Sequence, residues 1–395
     1  MIKYIFSLAV VAVFSGGAAA QNRSLSEADI LRAVEQHSPA LQSAQATAQA
    51  GRLEARTGNT LPDPELGYTH QWGSSGASGQ DEFTASQGFD FPTAYLQRGK
   101  AAKAKTEVAD AAYRELRMGI LLQARLAVQE IVYLKKRMAT DSLRLADALF
   151  AQGIAQKQAE TGDITSIEEN RIEFQTLSAR NNLVRTRMSL ETALATLSAM
   201  AGTALTEDTE IVPIPLPALA ALDETLNKAY AADPGLSGAK ATEKASLMER
   251  KLATSLTLPK FSAGYKYSSS DGFKFNGVTV GMSLPIFESR NTVKLARARL
   301  AEAEAISHAL QTTLTTEVNT KYSQAKRLAA MYGFYQENGD GAAKSALLKK
   351  ALDAGSMTIL EYFTELDPVY RNMDEFNELS YNYNTLVIEL GKYSL

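Results

Sequence analysis

The sequence predicts a mainly α-helical protein with a small β part, built from tandem-duplicated long coiled-coil helices plus four β-strands. Three observations predict it. First, the chain repeats itself: Pro39 aligns with Pro234, Leu41 with Leu236, Pro62 with Pro259, Tyr68 with Tyr265, Pro92 with Pro285 and Gly162 with Gly355, at a nearly constant offset of about 195 residues, the mark of an internal repeat. Second, a stretch from near Thr93 to about Thr161 contains no proline and corresponds to roughly 100 Å of uninterrupted helix. Third, four short segments alternate apolar and polar residues, the period of a strand rather than a helix.

Taken in order, residues 1–20 read as a secretory signal. Lys3 precedes an apolar run from Ile5 to Phe14, and Ala18, Ala19 and Ala20 offer a small-residue cleavage site. Residues 21–211 form the first repeat: a helix from about Ser26 to Thr60, strands at about 64–72 and 83–91, then the long helix, a turn and a second helix. The proline-rich "VPIPLPAL" at 212–219 reads as a linker. Residues 220–395 form the second repeat, with strands at about 260–268 and 276–284. Two heptad seams support the helices. Ala127, Ile131, Leu134, Met138, Leu145 and Leu149 supply the first, and Ile306, Leu310, Leu314, Val318, Tyr322, Ala325, Ala329 and Tyr332 the second.

Composition narrows the function. A net charge of −3 over 395 residues, with both signs mixed, argues against nucleic acid as a partner. No stretch after the signal reaches the ~18 consecutive apolar residues of a spanning helix. The chain has no cysteine, so neither disulfides nor a lipidated N-terminal Cys is expected. His37, His70 and His308 are isolated and lack metal-ligand spacing. Neither a phosphate-binding glycine loop nor a nucleophile elbow occurs. No catalysis and no cofactor are expected.

The strands point elsewhere. The first sets Leu66, Tyr68, His70 and Trp72 on one face. The second sets Phe83, Ala85, Phe89 and Phe91 there, the third Phe261, Ala263, Tyr265 and Tyr267, and the fourth Val278, Val280, Met282 and Leu284. Alternation of this kind suits a sheet with one wet face, or lipid outside and water inside a membrane barrel. Each strand spans the ~9–10 residues that a tilted strand needs to cross a bilayer. Four strands cannot close, and open edges do not persist in lipid. Three chains would supply twelve. Pro62, Pro92, Pro259 and Pro285 sit at or beside the helix–strand junctions, where a residue that serves neither hydrogen-bond ladder punctuates the switch.

With the duplication, the proline-flanked strand pairs, the coiled-coil helices and the paired turns "TGDITSIEE" and "AGSMTILEY" in place, the mature chain resembles the TolC family of outer-membrane efflux proteins. The junctions "FPTAYLQRGK" and "LPIFESRN" look most like its metal-efflux branch. The resemblance implies a homotrimer in outer-membrane lipid, with a twelve-stranded barrel continuing as an α-helical tunnel through the periplasm. It further implies a periplasmic adaptor (membrane fusion) protein and an inner-membrane pump of the RND type as partners. The duct would be passive, carrying metal cations or drugs. A type I protein-secretion duct is the alternative within the same architecture, and a periplasmic coiled-coil scaffold the alternative outside it.

The turns at Gly162 and Gly355 then fall at the hairpins farthest from the strands. Acidic residues after the second turn narrow the entrance in the family. Glu361 takes such a position, Thr364 stands where the next acid is expected, and Glu365 follows; Glu168 and Glu169 are the first-repeat counterparts. Threefold symmetry would gather Glu361 into a ring that concentrates cations. The plainer reading makes these first-turn carboxylates at helix N-termini.

Overall fold

The computed structural model describes residues 24–73, 79–270, 272–287, 289–338 and 341–395. The expected signal at 1–20 lies outside the described residues, as does part of the loop between the first two strands. The described residues open with strand β1 (Ser24–Ser26) and helices α1 (Glu27–His37) and α2 (Pro39–Glu54). The single helix expected over this region is therefore two. Proline at position 39 supplies no N–H to continue α1 and is instead accommodated as the first residue of α2. Its repeat partner behaves identically. Helix α5 (Leu222–Ala232) stops before Pro234, which opens α6 (Pro234–Ser255), and Asp233 caps that start by accepting the Leu236 N–H at 2.7 Å.

The four expected strands are β2 (Glu65–Gln71), β3 (Gln80–Phe89), β5 (Lys260–Ser270) and β6 (Phe273–Ser283). They form one antiparallel sheet in the order β2-β3-β5-β6. The β3–β5 pairing therefore joins the hairpin of one repeat to that of the other. β2 and β6 are left as open edges.

The register assembles mainly apolar rows across the strands, with Gln87 and Asn276 as polar exceptions on that face. Leu66, Ala85, Tyr265 and Val278 form one row, and Tyr68, Phe83, Tyr267 and Asn276 the next. These side chains pack against no core: Val278 and Val280 are 82% and 81% exposed, and Leu66 is 73% exposed. The opposite face carries Ser, Thr, Gly and the Lys266–Glu82 ion pair at 2.7 Å, with Phe273 and Phe275 at the end remote from the helices. Among the described residues nothing covers this face, and an exposed apolar patch of this kind marks an interaction surface.

Helix α3 (Pro92–Thr161) runs for 70 residues, about 105 Å at 1.5 Å per residue. It is followed by α4 (Ser166–Ala201), and a short parallel pairing of β4 (Glu210–Val212) with β1 closes the first repeat. This pairing ties the start of the chain to residues assigned above partly to the linker, and Val212 pairs with Ser26. In the second repeat, α7 (Thr292–Asn338) and α8 (Gly341–Asp353) correspond to α3, and α9 (Ile359–Leu390) to α4. Near the sheet the helices adjoin in the order α2-α3-α6-α7. At the far end the order is α4-α3-α9, with α9 on α7 and α8. The body is a wall roughly four helices wide, not a globule.

Alanine makes the wall thin. Ala94, Ala101, Ala104 and Ala111 are buried on α3, and a Cβ on Gly51 of α2 would meet the Ala109 Cβ at 3.2 Å. The first heptad seam holds at Ile131 and Leu134, which are buried with Leu190, Leu194 and Leu197 of α4. It fails at Leu149, which is 43% exposed, while Ala148, Ala151 and Ala155 are buried instead. An unsupercoiled helix drifts by ~20° per heptad against a strict seven-residue repeat, and α3 changes neighbours along its length. The second seam likewise buries Leu314, Val318 and Ala325 but leaves Ile306 55% exposed. Beside the first seam, the buried Arg125–Glu27 pair (2.8 Å) fastens α1 to α3, and Glu27 also accepts the Ile214 N–H at 2.6 Å.

Candidate functional site

The two hairpin tips are near-copies. After α3, Gly162 takes a left-handed conformation (φ 79°), and the Asp163 N–H reaches back to the Gln158 carbonyl at 2.8 Å. After α8, Gly355 does the same (φ 67°), with the Ser356 N–H on the Ala351 carbonyl at 3.0 Å. Glycine is the residue that adopts this helix-ending geometry without steric cost.

Three residues beyond each glycine the next helix begins in a reciprocal cap. The Glu168 carboxylate accepts the Thr165 N–H at 2.8 Å, and the Glu168 N–H donates to the Thr165 hydroxyl at 3.3 Å. In the second tip Glu361 accepts the Thr358 N–H at 2.8 Å, and its own N–H donates to the Thr358 hydroxyl at 3.2 Å. Hydrogen bonds from the threonine backbone and hydroxyl favour the ionised form, so both carboxyls are held below the usual Glu range.

Glu168 and Glu361 line one groove of about 920 Å³ between the tips. Asp163, Arg171, Thr364 and Asp367 share its wall. Glu169 and Glu365, expected beside them, do not line it. Asp367 and Asp163 were not singled out from sequence, and only Asp367 carried a signal, lying six residues after Glu361 on the same helix. Asp367 is already engaged, at 2.5 Å, with Arg371 one turn on. Pro368 lies inside α9 without ending it. Of the four prolines, Pro92 is the first residue of α3 and Pro259 immediately precedes β5, while Pro62 and Pro285 stand a few residues outside β2 and β6.

Beneath the groove the helices are locked by buried polar contacts. Asp147 of α3 accepts the Tyr370 hydroxyl of α9 at 2.6 Å and the Ser345 hydroxyl of α8, and Lys349 stands 3.8 Å away. Arg144 of α3 bridges to Asp374 of α9 at 2.6 Å and lies over the Tyr370 ring. Burial and the Asp147 charge push the Tyr370 hydroxyl well above the ordinary tyrosine range. Tyr362, fully buried in this cluster, is raised by burial as well. Asp147 and Tyr370 are more than two hundred residues apart, and no sequence pattern links them.

At the other end, the junction beneath the sheet is equally fixed. The Asp90 N–H donates to the Tyr95 hydroxyl at 2.9 Å, the Asp90 carboxylate pairs with Arg98, and the Gln87 amide donates to the Pro62 carbonyl at 2.6 Å. His70 meets the Trp72 ring edge-on with centroids 5.1 Å apart. Among the described residues no helix is long and apolar enough to cross a membrane, and no group of acidic or histidine side chains is arranged to hold a metal ion.

The sequence profile of the outer membrane efflux protein family matches residues 225–394. No curated protein sequence matches the chain significantly. Solved structures do match, and over nearly the whole length. The CmeC outer membrane channel of Campylobacter jejuni superimposes with a TM-score of 0.77 at 14% identity, covering 99% of this chain and 93% of that one. The outer membrane protein VceC of Vibrio cholerae gives 0.76 at 16% identity, covering 93% and 95%. The MtrE outer membrane channel of Neisseria gonorrhoeae, in its open state, gives 0.68 at 14% identity, covering 93% and 88%.

Proposed function

We propose that this chain, whose second repeat carries the outer membrane efflux protein signature and whose full length has the fold of solved outer-membrane channels, is the outer-membrane duct of a tripartite efflux system. Three copies close the barrel: the free edge of β6 in one chain pairs with the free edge of β2 in the next, giving twelve strands. Four helices per chain at each level give a ring of twelve below them. The matched family and the solved relatives are channels and efflux proteins rather than enzymes, in keeping with a passive exit path. An inner-membrane pump of the RND type supplies the energy, and a periplasmic adaptor joins the two. Cargo is a small solute of the drug or metal-cation class.

The observation that carries the proposal is the sheet: four paired strands, mainly apolar on one exposed face and mainly polar on the other, joined to helices too long for a globular core. A periplasmic scaffold has no use for such a face. Placing a cation on it tests the reading. Val280→Arg sits mid-strand and 81% exposed, and a cationic side chain at mid-bilayer costs about 2–4 kcal/mol. The variant is expected to reach the outer membrane in much reduced yield while an alanine control assembles. Normal assembly of Val280→Arg would count against a lipid-facing sheet.

A further inference from the structure

The apolar face does not stop where the strands stop. Its rows run from Tyr68, Phe83, Tyr267 and Asn276 down to Phe89, Phe261 and Met282, six residues along β3, β5 and β6. At about 3.3 Å per residue and a tilt of about 40° these rows cover only about 15 Å of height. An outer-membrane barrel presents an apolar band of about 25 Å. The rows cannot be extended upward, because the next one carries His70, Asp81 and Lys274.

Downward they can. Phe89 and Phe261 of the lowest row share a groove of about 780 Å³ with Phe91, Pro92, Tyr95 and Leu96 of the junction and first turn of α3. Leu96 is 66% exposed, and Leu284, Ile286 and Phe287 flank the same level with their side chains exposed. Two extended residues and one helical turn below Phe89 add about 11 Å, which closes the deficit. The groove offers no free polar partner. The Asp90 N–H and carboxylate at its rim are taken by Tyr95 and Arg98. It lies under β3 and β5, the two inner strands, whose edges are both paired within the chain, so a neighbouring copy docking on β2 or β6 does not cover it.

We propose that this groove is a lipid site: it seats an acyl chain of a phospholipid in the periplasm-facing leaflet, so that the membrane boundary lies on the first turn of α3 instead of at the strand ends. The inference rests on the outer-membrane reading above.

Tryptophan fluorescence tests it in the full chain, with Trp72→Phe removing the single native tryptophan. Leu96→Trp is reconstituted into phosphatidylcholine vesicles whose acyl chains are brominated near their middle, beside Val280→Trp as the mid-face reference. The expected result is loss of emission for both variants in brominated lipid, with little further loss to an aqueous quencher. Quenching of Val280→Trp but not Leu96→Trp would overturn the groove alone, whether Leu96→Trp is then open to the aqueous quencher or shielded from it by protein. Quenching of neither would overturn the outer-membrane reading with it. Phe91→Trp provides the same readout where Leu96→Trp assembles poorly.

Discussion

Glu361 is both a helix cap and, in the proposed assembly, one of three carboxylates at a narrow mouth. The roles separate by substitution. Glu361→Gln retains an oxygen that can accept the Thr358 N–H, so α9 should start as before, while the charge is gone. The expected outcome is helix content retained with at most a small drop in melting temperature, together with a weaker cation preference, read as reversal potential across a planar bilayer under a salt gradient. An unaltered reversal potential would leave Glu361 as a cap only. The pH dependence follows from the lowered pKa. A carboxyl depressed on folding contributes stability above its unfolded value and loses it as pH falls through the folded value. The mouth should therefore keep its cation preference down to about the ordinary Glu pKa of ~4.3, and lose it only below that. The glycines make a second residue-scale prediction. A Cβ at Gly162 or Gly355 would meet nothing within 4 Å, so alanine there pays only for the left-handed backbone, about 1–2 kcal/mol. Thermal unfolding should show the loss for alanine and a smaller one for asparagine. Both tips were legible in sequence, since glycine, then threonine, then glutamate at fixed spacing is a local signal. Asp147 was not, because its partners Ser345 and Tyr370 are brought to it only by helices that pack across the repeat.

At the scale of elements, α4 shows what the isolated chain leaves unfinished. Ile167, Phe174, Leu177, Val184 and Met188 are 81%, 70%, 49%, 51% and 62% exposed and follow heptad spacing along one side. α4 is also the end of the helical row, as β2 is the end of the sheet. At the other end, Met331 and Phe334 of α7 and Leu347 of α8 are likewise exposed. In the proposed trimer these two ends would meet head to tail, the heterologous kind of contact that closes into a ring. Leu177→Asp should therefore dissociate the assembly in detergent while the single chain keeps its helical circular dichroism. Dissociation accompanied by loss of helix would contradict a role confined to the seam. The heptads and strand alternation showed the long helices and the hairpins, whose local periodicity survives in any context. The short β1–β4 pairing was invisible because three residues are too few to show a period. The break at Pro39 was missed because the apolar pattern continues across it.

For the whole molecule, duplication explains why one chain has two unlike ends, which the proposed trimer would join. Each repeat supplies one hairpin and one helical tip, and fusing two repeats fixes β3 against β5 while leaving β2 and β6 free. Nothing among the described residues covers the apolar sheet face, the seam on α4 or the free strand edges, and the proposed trimer in lipid would cover all three at once. The most direct test is the mass of the mature protein extracted from outer membranes, corrected for bound detergent. The proposal requires three chains in that particle. One or two chains, or recovery in the soluble fraction, would contradict it.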